Sequence, residues 1–415
     1  NWGYCISMLL PPLAVAAMML RYPLDFPMLD QWELVPLLQN WQVGRFRLGD
    51  LLAQHNEHRP VLFRAIVLPL AILTRWEVRI EPWLAFACAL GTFVLLHGRL
   101  SSMRSSHGLS SIVLAVLLFS AAQWQNFLLG WQFQLMLGAC LCLSCLHCLT
   151  GNSITPRQVT VAAALALAAT FTFGNGALLW PVGALILRAR LDCTPQERFA
   201  FTAGWLALGA LAIAGYLWNF ERVVSEGSTF LPGPLVAYAL AYLGAPLFPY
   251  HPLGAALLGG LGIVAATWLA LRMRSASESD AGPRFFFVGL LLLAVGSALI
   301  TAHARGSHGM EQALSSRYAT FALWFWIALL FGALESLPRA VCLRASMAIL
   351  ALAAAASMHG AYRWSEHANA YATARPALLN LQSAPELRWL YPDEQRLLER
   401  AAWLKEGGWS LYRHP

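Results

Sequence analysis

"FFFVGLLLLAVGSALITAH" (residues 285–303) runs for nineteen residues without a charge, between Arg284 and Arg305. A helix rising about 1.5 Å per residue needs roughly twenty apolar residues to cross a bilayer. The run is continuous rather than alternating, so it reads as a helix and not as a barrel strand. Similar runs recur at 5–20, 82–98, 109–124, 130–149, 158–173, 176–189, 200–218, 252–272, 319–335 and 344–359. With 58% hydrophobic and only 12% charged residues, and a mean hydropathy of +0.55, an ordinary water-soluble domain is excluded. Backbone in lipid must satisfy its own hydrogen bonds. The expected fold is therefore an all-α, polytopic transmembrane helical bundle of about eleven spans.

Two further apolar segments are shorter or broken. Residues 61–73 contain Arg64, and residues 234–247 contain Pro234, Gly244 and Pro246. Both are expected as interfacial or re-entrant helices; if both cross, the count rises to thirteen. The chain divides into a bundle over 1–360, with a long first loop at 21–81, and a tail over 361–415. It opens at Asn1 rather than Met, which predicts truncation or processing before it. No small-residue cleavage site follows the run at 5–20, so it is expected as an uncleaved first span.

Charge sets the orientation. With the N-terminus inside, the inner loops hold Arg99, Arg104, Arg157, Arg188, Arg190, Arg198, Arg272, Arg274, Arg284, Arg339 and Arg344 against Asp192, Glu197, Glu278, Asp280 and Glu335. That is a net +6 inside, against +1 over all outer segments, as the positive-inside rule requires. The overall charge of +7 is scattered over many short loops, so nucleic acid is not an expected partner. All eight cysteines, at 5, 88, 140, 142, 145, 148, 193 and 342, fall in spans or inner loops. "CLCLSCLHC" (140–148) matches no zinc spacing and reads as helix packing.

The polar residues that remain collect outside. They include "AQHNEHRP" (53–60), "AQWQNFLLGWQ" (122–132), "FTFGNGALLWP" (171–181), "FERVVSEGSTFLPGP" (220–234) and "HARGSHGMEQALSSRY" (303–318). Apart from Glu335, at the inner edge of the span 319–335, no acidic residue falls inside a span, which argues against an ion-coupled transporter.

"LDQWELVPLL" (29–38) carries two compatible readings. Asp30 is placed as a helix N-cap with Glu33 closing a capping box, or as a general base at the membrane surface. His55 and His58, three apart, are expected on one helical face. Two histidines are a weak zinc signal, and metal: none is the assignment. Arg59 reads as an anion clamp, as an ion pair with Glu57 or Asp50, or as part of a solvated helix end. Arg305 and Arg317 bracket a glycine-rich loop with His303 and His308, a pattern that suits a phosphate or, for Arg317, a snorkelling anchor. Gln123, Gln125, Asn126 and Gln132 suit sugar hydroxyls or helix-to-helix hydrogen bonds. Gly174 and Gly176 fit a tight turn or a close helix approach. Asn175 between them reads as a turn residue or a substrate ligand. In the tail, Leu397, Leu398, Ala401 and Leu404 predict an amphipathic helix that caps a site or lies on the membrane.

In this order the pieces "LDQWE", "QHNEHR", "QWQNFLLGWQ", "FGNGALLWP" and "ALSSRYAT" resemble bacterial polytopic membrane glycosyltransferases of the glycosyltransferase C class. The resemblance runs to about residue 360. It implies an inner-membrane enzyme with a periplasmic active site, a polyprenyl-phosphate-linked sugar donor and a lipid or glycan acceptor of the cell envelope. Asp30 would then be the base, with Glu33 as a second acid three residues on, where many members have adjacent acids. Arg305 and Arg317, joined by Arg59, would hold the lipid phosphate. His55, His58, Gln125, Asn126, Asn175, His303, His308 and Tyr318 would complete the substrate site. No cofactor is assigned; some members of the class use a divalent metal, and arginine can replace it. The competing expectations are an O-antigen polymerase or ligase, a flippase, and a non-catalytic assembly component.

Overall fold

The computed structural model describes residues 2–103, 105–151, 153–190, 192–221, 232–273 and 281–413. The inner-loop charges assigned at Arg104, Arg274, Glu278 and Asp280, and most of the 220–234 segment, lie outside the described residues. The fold is all-helical, 81% helix, with no strand among the described residues. In chain order the α-helices are α1 (Trp2–Arg21), α2 (Val35–Gln42), α3 (Val61–Thr74), α4 (Ile80–Ser101), α5 (Gly108–Leu118), α6 (Trp124–Leu128), α7 (Phe133–Leu149), α8 (Pro156–Thr170) and α9 (Leu179–Ala189). They continue with α10 (Pro195–Leu217), α11 (Pro232–Gly244), α12 (Pro252–Met273), α13 (Ala281–Arg305), α14 (Ala319–Ser336), α15 (Arg339–Ala372), α16 (Arg375–Asn380) and α17 (Glu394–Gly407).

Eight helical segments are long and apolar enough to cross a membrane: 80–101, 108–128, 130–149, 195–217, 252–273, 282–308, 316–336 and 339–380. Of the other three expected spans, α1 is a 20-residue apolar helix, while α8 has 15 residues and α9 has 11. The doubtful segments are helices too. α3 is a 14-residue helix with Pro69 inside it. α11 packs along α12, where Gly244 and Gly259 let the backbones meet; a Cβ on Gly244 would stand 1.9 Å from the Ala255 carbonyl oxygen. Small residues at such crossings are what close helix packing in lipid requires.

α14 forms the centre of the bundle. Nearly every residue from Ala319 to Leu334 is buried, so this helix is enclosed by protein rather than lipid. α10 and α12 expose apolar side chains such as Leu211 and Leu257, as lipid-facing helices do.

α15 continues without a break past residue 360 to Ala372, so the tail departs some twelve residues later than the sequence division. The expected amphipathic helix is α17, with Leu397, Ala401 and Leu404 buried. It lies on the first loop. Arg375 pairs with Asp25 at 2.6 Å, Arg400 with Glu33 at 2.9 Å and Arg413 with Glu77 at 2.6 Å.

Candidate functional site

The site is built where the first loop meets the ends of α7, α13 and α14. Its first element is the 3-10 turn Leu29–Leu34. The capping there differs from the expected box. Met28 occupies the cap position, and the Gln31 side chain reaches back to its backbone N–H at 3.0 Å. Gln31 also donates to the buried Glu81 carboxylate at 2.6 Å. Asp30, relieved of capping, turns its half-exposed carboxylate to a cavity. Its Oδ2 stands 3.6 Å from His55 Nε2. Glu33 lines only the outer of that cavity's two lobes and is engaged by the tail. It accepts from Tyr391 and twice from Arg400, at 2.9 and 3.1 Å. Burial would raise its carboxyl, but those bonds outweigh it and hold the group below its ordinary value. Its proton-accepting oxygens are therefore engaged by the tail.

"HNEH" (55–58) is a tight turn and not a helical face. The His55 and His58 backbones exchange N–H···O bonds of 2.8 and 2.9 Å. Asn56 sits at φ +49°, a region that Asn tolerates better than other side-chain-bearing residues. Directly opposed residues of such a pair project to the same side, and both imidazoles line the cavity. His58 stacks on Phe173 at 4.4 Å and accepts from the Gly174 N–H at 3.2 Å. Burial pushes it down to about 4, so it stays neutral at pH 7. His55 leans on Trp131 at 4.7 Å.

Arg59 is neither an anion clamp nor a carboxylate partner. It is buried, and its guanidinium donates to the carbonyls of Tyr216 (2.6 Å), Leu52 (2.6 Å) and Trp218. Two of these carbonyls belong to the C-terminal end of α10, whose last carbonyls lack intrahelical partners. Arg59 is therefore a helix cap. Glu57 pairs instead with Arg305 across 2.7 Å, which ties the turn to the end of α13.

The amide patch explains how Arg317 is placed. Gln125 Oε1 accepts from the Arg317 N–H at 3.2 Å and from Ser316 Oγ at 2.8 Å. Asn126 Nδ2 donates to the Arg317 carbonyl at 3.2 Å and to Thr320 Oγ1 at 2.8 Å. Both amides thus grip the backbone of one residue. The Arg317 side chain projects beyond them, over the Tyr318 ring. Among the described residues no carboxylate pairs with it, and its Nε is buried without a partner. Tyr318 in turn stacks on Tyr242.

These side chains enclose two adjoining lobes. The inner lobe, about 140 Å³, reaches between the helices to Gln134, Asn175, Arg305 and Phe321. The outer lobe, about 550 Å³, is closed by Tyr391, Pro392, Asp393 and Arg396 of the tail. Asp30, His55, Asn56, Trp131, Gln132 and Arg317 line both. Gln134 is buried with Oε1 unpartnered, an acceptor facing a space that a polar ligand would fill.

Of the residues expected from the sequence, Asp30, His55, His58, Asn175, Arg305, Arg317 and Tyr318 line the inner lobe. Gln125 and Glu33 line only the outer one. Asn126 is a support for Arg317. His303 and His308 are exposed and lie outside both lobes. Gly176 acts by close approach, since a Cβ there would stand 2.3 Å from the Ala169 backbone. Reading the sequence missed Gln134, Tyr242 and the tail residues. Gln134 carried a signal, being an amide inside an apolar run; the tail helix was expected to cap a site or lie on the membrane, but nothing local marked Tyr391, Pro392, Asp393 or Arg396 as lining residues. Among the described residues no three His, Cys, Asp or Glu side chains gather as a metal-holding group. Comparison with family models, with curated proteins and with solved structures finds no match.

Proposed function

We propose that the chain is an integral membrane glycosyltransferase that moves a sugar from a polyprenyl-phosphate donor to an envelope lipid or glycan at the periplasmic face. The observation that carries this reading is the shared wall: one carboxylate, Asp30, and one guanidinium without a carboxylate, Arg317, both face two adjoining lobes. A transferase with two substrates needs a base at the junction of their spaces and a cation beside the leaving group.

The donor phosphate lies against Arg317, with Arg305 next to it. Arg305 keeps Glu57 as its partner and adds less free charge. The sugar occupies the inner lobe, where the amides of Gln134 and Asn175 suit hydroxyl groups. The acceptor enters the outer lobe under the tail. Its hydroxyl oxygen attacks the anomeric carbon while its proton passes to Asp30. The anomeric C–O bond breaks, and its electron pair leaves on the polyprenyl phosphate, with inversion. His55 beside Asp30 orients that carboxylate, and neutral His58 keeps the turn in place.

The test is a deletion strain complemented with Asp30→Asn or Arg317→Ala at matched expression, its envelope glycans compared by mass spectrometry. Loss of one hexose or pentose unit is expected with both variants. Full modification by Asp30→Asn removes the proposed base. Loss of polymer length rather than of a single sugar favours a polymerase or ligase.

A further inference from the structure

A second cavity system gathers around the two ends of the first loop and shares no lining residue with the two lobes. One part, about 700 Å³, brings together Arg75, Arg79, Arg375 and Arg413 with Asp25. Asp25 is taken by Arg375. Glu77 is shared by Arg79 and Arg413, at 2.6 Å each. Four guanidiniums thus meet two carboxylates. Among the described residues no carboxylate pairs with Arg75; it rests on the Trp409 ring at 5.4 Å and reaches the Gly407 carbonyl at 3.4 Å. Its backbone is held in the left-handed region, φ +52°, followed by Trp76 at +56°. Two consecutive side-chain-bearing residues there are costly, and the turn is fixed by Ser410 N–H bonding the Arg75 carbonyl at 2.8 Å.

The other part is an apolar groove of about 380 Å³ between the end of α1, the start of α4 and α6. Leu20, Leu24, Ile80, Trp83, Phe127 and Leu128 line it, and Arg79 lines both parts. The groove opens sideways: Leu20 is 69% exposed and Trp83 37%. It begins where α4, a membrane-crossing helix, starts at Ile80.

From this arrangement we infer that the chain binds one anionic phospholipid here, its phosphate among Arg75, Arg79 and Arg413 and an acyl chain in the groove beneath. Charge complementarity selects the head, since the pocket carries two cations in excess. The apolar groove selects a lipid over a free phosphate. Arginine suits the phosphate by its planar pair of donors and its weaker hydration. Because Arg375 and Arg413 come from the tail, the bound lipid also fastens the tail to the bundle. The inference holds whether or not the two-lobed site transfers a sugar.

Native mass spectrometry of the full-length protein, released from vesicles of equal phosphatidylglycerol and phosphatidylcholine, tests it. One phosphatidylglycerol molecule is expected to be retained in preference to phosphatidylcholine. Arg75→Asn, which tolerates the left-handed backbone, should lower that preference about tenfold, equivalent to about 1.4 kcal/mol. Arg75→Lys should keep most of it, and Arg363→Gln on α15 should change nothing. Trp83→Ala, which leaves every arginine in place, should lower retention as well. Equal retention of the two lipids by the unaltered protein, or unchanged preference in Arg75→Asn, overturns the inference. So does thermal stabilisation by glycerol 3-phosphate equal to that by phosphatidylglycerol, which would mark a soluble-phosphate pocket.

Discussion

The two ends of the bundle use arginine differently. At the end that carries the loops after α4, α7 and α9, Arg190 binds Asp192 through both oxygens, at 2.6 and 2.7 Å, and donates to the carbonyls of Leu149 and Gly151. Arg99 donates to the His147 carbonyl and Thr150 Oγ1 at the same helix end. These guanidiniums close the C-terminus of α7, where orphan carbonyls and the helix dipole both favour a cation. At the end that carries the first loop, Arg59 does the same for α10, and Arg375, Arg400 and Arg413 each take a carboxylate. Arg317, like Arg75, departs from this pattern. Its backbone is gripped by two amides and its side chain is left facing a cavity. What distinguishes the arginine proposed to bind a phosphate from the structural ones is the set of partners already engaged. Local sequence hardly separates them, since Arg59 and Arg317 both sit in polar stretches.

The comparison breaks most sharply at the carboxylates. Asp30→Asn is expected to lower transfer about 100- to 10,000-fold, the usual contribution of a positioned base, with thermal stability unchanged. Asp192→Asn, at the opposite end, should leave transfer within about twofold and lower stability instead. A reversed pattern, read by glycan mass spectrometry and thermal unfolding in detergent, would place the chemistry at the wrong end. For the arginines, Arg317→Ala should cost about 10- to 100-fold in transfer with little change in melting temperature, because no carboxylate loses a partner. Arg190→Ala strands Asp192 and the α7 carbonyls. It should cost about 2 kcal/mol, a value reduced because Asp192 is partly exposed. Equal melting temperatures for the two variants would mean that Arg317 also holds the fold.

The all-α membrane architecture was legible because lipid leaves the backbone few choices, and runs such as 285–303 carry that constraint residue by residue. Span limits were less so. The turn between α8 and α9 was legible in Gly174 and Gly176 and falls at Gly174–Leu178, but the His58–Gly174 bond and the packing of Gly176 on Ala169 that fix it are contacts no local pattern encodes. The site was partly legible. Asp30 and Arg317 stood out as charges beside spans. Glu33 stood out equally, but its partners Tyr391 and Arg400 lie more than 350 residues away. The "HNEH" turn looked helical because spacing was read without weighing Asn56, the residue that admits a positive φ. The amides of 123–132 were ambiguous because an amide that grips a backbone and one that grips a sugar use the same atoms.

Tail docking should respond more mildly than either end. Glu33→Gln removes the charge that Arg400 meets while leaving a hydrogen-bonding side chain. About 1 kcal/mol of local stability is expected to go, seen as faster proteolysis after α15 with the bundle intact, and transfer falls less than tenfold. Two groups here depend on pH in a stated direction. Hydrogen bonds from Arg79, with those from Arg413, hold the Glu77 carboxyl down at about 2. A carboxylate with a lowered folded value contributes above its unfolded value and loses that contribution as pH falls from about 4.5 toward 2. His58 is lowered as well, by burial, to about 4. Below about 6.5 the unfolded chain takes up a proton that the folded turn refuses, so stability declines from there toward pH 4. The His58 turn should therefore loosen at a higher pH than the Glu77 docking, and His58→Gln should remove only the first of these two acid transitions. If the tail frees before the turn on acidification, followed by amide hydrogen exchange, the ranking of the two contacts is wrong. The turn that fixes His55 beside Asp30 would then outlast the ion pairs that close the outer lobe.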